Sequence, residues 1–133
     1  MRHLPHIAPM LARWLVGLCA MACVAGCGSA TDNRPAKWSF ISATIIEPSC
    51  ATANCHSAIT QRASVDLSER NVAYQTLIDR RFLIPGDTTE SSALFFLMNG
   101  QGSLRMPPDA PLPGADIDLI SKWIASCTVP CND

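Results

Sequence analysis

The residues whose types and spacing could do chemistry lie in CATANCHS, where Cys50 and Cys55 stand with four residues between them and His56 follows directly. Two thiols and an imidazole at this spacing could attach a haem covalently, bind a metal, or close a disulfide beside a bystander histidine. The usual haem-attachment spelling is C-x-x-C-H, and this spacer is longer. For haem, two sulfurs must reach the two vinyl groups of one porphyrin, while the adjacent histidine presents a nitrogen to the iron from one side. The longer spacer meets that need only if Ala51, Thr52, Ala53 and Asn54 loop outward, and all four are small enough to do so.

The remaining chemistry-bearing residues sharpen the choice. His3 and His6 belong to the N-terminal leader described below, which leaves His56 as the one histidine of the mature chain. After the leader, two methionines are available to sit opposite it. Met98 belongs to the apolar run LFFLM and reads as core filler. Met106 stands in RMPP, in a loop with no amphipathic reason for a large apolar residue. Pro107 and Pro108 stiffen the backbone there, which suits an axial thioether. The rival is a loop methionine tucked into the core. Zinc held by Cys50, Cys55 and His56 lacks a fourth ligand nearby. Asp87 and Asp109 read as turn caps, and Arg105 as either a contact for a haem propionate or an ordinary solvated arginine. A ligating histidine ordinarily donates its second nitrogen to a carbonyl or carboxylate, and the Pro85 carbonyl is a candidate for that place. Asp116 and Asp118 lie two apart on one helix and do not face each other. With no nucleophile–base pair either, an electron carrier is expected rather than a catalyst.

These residues need a compartment and a scaffold. Arg2 and Arg13 precede the apolar run LVGLCAMACVAG, which is shorter than the roughly 20 residues of a membrane span and reads as a signal peptide over residues 1–26. VAGC resembles the bacterial lipobox, which makes Cys27 the lipidated N-terminus of the mature chain, the rival being an ordinary signal peptide that leaves Cys27 a free thiol; Cys19 and Cys23 leave with the leader. Residues 27–37 (CGSATDNRPAK) are small and polar and read as a flexible tether. The expected location is exported and lipid-anchored to the bacterial cell envelope, periplasmic or outer face, with the membrane contacted only through the lipid. Loss of two arginines with the leader leaves eight basic against eleven acidic residues, a net charge of −3. The mature chain has no basic run, so nucleic-acid binding has no electrostatic support.

The folded domain is expected over residues 38–133, near the size at which a core alone is barely sufficient. An oxidising compartment permits disulfides, and Cys127 most simply pairs with Cys131. Trp38, Ile41, Ile45 and Ile46 recur at helical spacing, with Pro48 ending the run. Ser68 is a candidate N-cap for a helix over ERNVAYQTLID, with Val72, Leu77 and Ile78 inward. Pro85-Gly86-Asp87 makes a turn before a helix containing SSALFFLMNG. Residues 101–115, with their prolines, read as a fixed loop. In ADIDLISKWIASC, Ile117, Ile120, Ile124 and Cys127 form one stripe, with Trp123 beside it. No run alternates like a strand. The fold class is all-α, with about four short helices and long loops that need something to wrap around.

The order of these pieces carries a resemblance. A helix, the Cys-pair-His, Asp66-Leu67-Ser68, Pro85-Gly86-Asp87 with Ser91 and Ser92, Arg105-Met106-Pro107-Pro108, and a last helix through Lys122-Trp123-Ile124 follow one another. This chain resembles the small cytochrome c domains of bacterial exported proteins, in the planctomycete-type and related groups, over most of 41–127. The resemblance implies a cytochrome c-like fold around one covalent haem c, with Cys50 and Cys55 as thioether cysteines. It makes His56 the proximal iron ligand and Met106 the distal one. It also implies first and last helices that cross near Phe40, Ile41, Ile120, Trp123 and Ile124, and single-electron transfer to a redox partner protein that the sequence does not name. The four-residue spacer departs from the family's pattern. The alternative is a haem-free, disulfide-stapled structural or binding lipoprotein on the same scaffold.

Overall fold

The computed structural model describes residues 31–89, 91, 94, 97, 98 and 105–133. The leader, Cys27 and most of the SSALFFLMNG segment lie outside the described residues. The folded unit is Asn33–Asp133. Among the described residues it is helical and contains no strand.

Its first helix, α1, runs over 38–50 in three parts. Trp38–Ile41 is α-helical, Ser42–Ile46 widens to a π-helical turn, and Glu47–Cys50 is α-helical again. The expected stop at Pro48 is therefore a correction: the helix passes through the proline. Pro48 has no N–H for the Thr44 carbonyl, and its ring would press on that carbonyl in a regular helix. The wide turn just upstream, closed by the Glu47 N–H on the Ser42 carbonyl, shifts the backbone past the obstacle. The helix then ends one residue before Ala51, so that Cys50 sits on its last turn.

After the cysteine loop and a short 3₁₀ turn at Arg62–Ser64, α2 covers Arg70–Asp79. Its buried residues are Ala73, Tyr74 and Leu77. Ile78 packs partly against the core, whereas Val72 is 41% exposed, so the expected inward place of Val72 is not borne out. The stripe 73–74–77 lies on one face at three- and four-residue spacing, and 72 falls beside it. Ser68 is not the cap either. Its hydroxyl and N–H both go back to the Asp66 carboxylate, at 2.6 and 2.9 Å, and the helix starts after Glu69 with no side-chain cap. Those two donors hold the Asp66 carboxyl below its usual range.

The Pro85-Gly86-Asp87 turn is fixed from two sides. Gly86 adopts φ +78° and donates its N–H to the Ile124 carbonyl at 3.0 Å. Fully buried Ser91 accepts the Ile84 N–H and donates to the Ile84 carbonyl, each at 2.6 Å. The Asp87 carboxylate accepts the Thr89 N–H at 2.8 Å. Leu94, Leu97 and Met98 are helical positions of the run that follows.

The last helix, α3, spans Gly114–Ser126 and buries Leu119, Ile120, Trp123 and Ile124. Leu119 joins the face read from the sequence, and Ile117 lies at its edge. Trp123 stacks on Trp38 of α1 with ring centroids 4.8 Å apart, and Tyr74 of α2 tilts against Trp38 at 6.1 Å. The three helices therefore meet at one aromatic joint. Each polar edge there is satisfied: Trp38 Nε1 donates to the Arg70 carbonyl at 2.9 Å, and Trp123 Nε1 to the Cys131 carbonyl at 3.1 Å. Cys127 and Cys131 form a disulfide across Cα atoms 5.2 Å apart, and the Tyr74 hydroxyl accepts the Cys131 N–H at 3.2 Å. Residues 33–37, which composition assigns to the tether, are already engaged. Ala36 packs on the core, Arg34 pairs with Asp116 in the first turn of α3, and Lys37 pairs with Asp133 at 3.1 Å.

Candidate functional site

The described residues enclose an apolar cleft with a volume of about 180 Å³. Cys50, Cys55, His56 and Met106 all line it, although about fifty residues of sequence separate the first from the last. Val65, Leu67, Leu77, Phe82, Leu94 and Leu97 are among its other walls. Small-molecule pockets usually measure about 300–1,000 Å³, so a large flat ligand would fill this one with part of its body and leave an edge outside.

Each chemistry-bearing residue reaches the cleft for a local reason. Cys50 is delivered by the last turn of α1. The His56 N–H donates to the Cys50 carbonyl at 3.1 Å and the Cys55 N–H to the Thr52 carbonyl at 2.9 Å. These bonds draw the ends of the spacer together and push its middle out: Thr52, Ala53 and Asn54 are exposed, while Cys50, Cys55 and His56 are half-buried. The Leu67 N–H on the His56 carbonyl, at 2.8 Å, ties the loop to the chain entering α2. Met106 is held from the other side, its N–H donating to the Leu97 carbonyl, with Pro107 and Pro108 completing the wall. Met98, read as core filler, is buried in the core and also touches the cleft.

The cysteines of the pair are free thiols. Burial, and then the neighbouring Cys55, push the Cys50 thiol from 9.0 up to about 11. His56 Nδ1 is buried with no hydrogen-bond partner. The Pro85 carbonyl thus does not take the role expected for it. A buried ring nitrogen left unsatisfied costs about 1–3 kcal/mol, and it stands in a wall that also presents two thiols and a thioether. Arg105 lies next to this set with its Nε buried and unpartnered, while one of its terminal nitrogens donates to the Pro108 carbonyl at 3.0 Å. Asp109 is exposed and outside the lining.

Among the described residues, no group of three or more histidine, cysteine or carboxylate side chains is arranged to hold a metal ion. No helix among the described residues is long and apolar enough to cross a membrane. Phe82 and Arg62 are among the lining residues that escaped sequence reasoning. Phe82 follows α2 outside any periodic run, and Arg62 sits in a polar loop where nothing in the neighbouring residue types singles it out. Compared with protein-family models, curated proteins and solved structures, the chain finds no match.

Proposed function

We propose that this domain is a small, membrane-tethered c-type cytochrome module that carries one haem and passes single electrons. The reading rests on one observation above all: Cys50, Cys55, His56 and Met106 line the same apolar cleft. Cys50 and Cys55 would hold the group through thioethers, with His56 and Met106 as its axial ligands. Bound there, haem would supply a one-electron iron couple, and His/Met ligation would raise its potential. The donor types and the apolar walls fit such a group. The chain's own part is to orient and to exclude water. The α1 terminus and the His56–Cys50 backbone bond fix the thiols and imidazole. The Leu97 carbonyl and Pro107 fix Met106, and the leucine and phenylalanine walls keep the site dry. The cytochrome c-like fold, export, lipidation at Cys27 and a docking redox partner belong to the same proposal.

The second reading is a haem-free structural or binding lipoprotein. It is favoured by the aromatic joint and the Cys127–Cys131 disulfide, which close a core without any group in the cleft. The two readings separate in one measurement. The full chain is produced in a bacterium with haem-maturation machinery, and its absorbance is recorded before and after acid–acetone extraction. A Soret band that survives extraction is expected. A colourless protein from that host would overturn the cytochrome reading.

A further inference from the structure

Among the described residues that line the cleft, Arg62 alone is permanently charged. Its position is actively held. The Arg62 N–H donates to the Cys55 carbonyl at 2.9 Å, which seats it beside the second thiol. Around it the backbone is left-handed at three non-glycine residues: Gln61 at φ +40°, Ala63 at +58° and Ser64 at +57°. Such conformations cost free energy and persist only where their surroundings over-determine them. Here the surroundings are explicit. The Ser64 N–H donates to the Gln61 carbonyl at 2.7 Å, and the Arg80 guanidinium to the Ser64 carbonyl at 3.0 Å. The Gln61 amide bonds the Ala58 carbonyl at 3.0 Å and the Asp66 carboxylate at 3.2 Å. This network uses Arg80 and Asp66 for the loop itself and leaves the Arg62 guanidinium unpaired with any described carboxylate.

We infer that Arg62 is the anion-binding residue of the cleft, holding a carboxylate at the edge of the group bound there, which for haem is a propionate. The inference rests on the haem reading. An apolar cleft too small to enclose a porphyrin leaves its carboxylates at the mouth, and an arginine offers them a charge-assisted, two-pronged contact. Arg105, whose terminal nitrogen is committed to the Pro108 carbonyl, does not line the cleft.

The test uses iron mesoporphyrin, saturated where haem carries vinyl groups, so that no thioether forms and binding stays at equilibrium. The full chain, with thiols reduced, is titrated by absorbance with the free diacid and with the dimethyl ester. The same pair is titrated against Arg62→Gln and Arg62→Lys. The preference for acid over ester should be roughly threefold to tenfold greater in the parent chain than in Arg62→Gln, the size expected of a charged contact at a part-exposed edge. Arg62→Lys should keep part of it. Solvation differences between acid and ester cancel in this ratio of ratios, and circular dichroism confirms that the exposed substitution leaves helicity intact. An unchanged preference in Arg62→Gln overturns the role of Arg62 while the haem reading stands. Failure of the parent chain to bind either compound overturns both.

Discussion

Met106 is the residue on which most depends, because it is the donor side chain that the second half of the chain brings to the cleft in the proposed role of axial ligand. In the haem-loaded protein, Met106→Ala should change the axial-ligand spectrum and lower the potential, as loss of a thioether ligand does; an unchanged spectrum would remove Met106 from the site. Cys50 gives a check that needs no haem. Only the thiolate is alkylated, and burial raises this thiol from 9.0 to about 11. At pH 8 the haem-free folded chain should therefore hold about a hundredfold less Cys50 thiolate than an ordinary cysteine does, and labelling with iodoacetamide followed by mass spectrometry reads it. Because the folded state favours the neutral form, the associated stability is complete below pH 9 and falls as pH rises towards 11. Ordinary labelling at pH 8 would contradict this. The grouping of Cys50, Cys55, His56 and Met106 at one cleft was legible in the sequence because their residue types are scarce and their spacing is chemical. Arg62 was not, since its significance comes from backbone dihedrals and from the pairing of its neighbours, which one-dimensional spacing does not encode.

The helices show a similar division. α3 was readable because four of its apolar residues repeat along one face. α2 was readable as a helix but not as an oriented one: Val72, Ala73 and Tyr74 are consecutive, and composition alone does not say which of them turns inward. The structure buries Tyr74 and Ala73 because the tyrosine hydroxyl finds the Cys131 backbone. Leu77→Ala should accordingly cost about 2–5 kcal/mol in urea unfolding, while Val72→Ala, at a position 41% exposed, should stay within about 1 kcal/mol. Equal costs would mean that the helix is rotated from the face described. α1 was misread at Pro48 because the rule that proline ends a helix assumes a regular backbone upstream. The π-turn at Ser42–Ile46 removes that assumption and carries Cys50 onto the helix end.

For the molecule as a whole, the apolar cleft and the aromatic joint share no residue. The joint ties α1, α2, α3 and the C-terminal segment together, and the cleft lies on loops anchored to that frame. Trp123→Ala should cost about 3–5 kcal/mol, a large share of the stability of about 5–15 kcal/mol that a domain possesses. A thermal melt should show most of the molecule loosening, not the cleft alone. The helical class was legible from the sequence, yet the joint was not, because Trp38, Tyr74 and Trp123 belong to separate elements with no local signal linking them. Their arrangement has an optical consequence. Of the three tryptophans in the chain, two stand stacked at 4.8 Å, so their excited states are coupled and their near-ultraviolet ellipticity depends on the stack. Any motion that parts the first and last helices would dim that signal while far-ultraviolet ellipticity persists, and the protein thereby reports on its own tightness without a label.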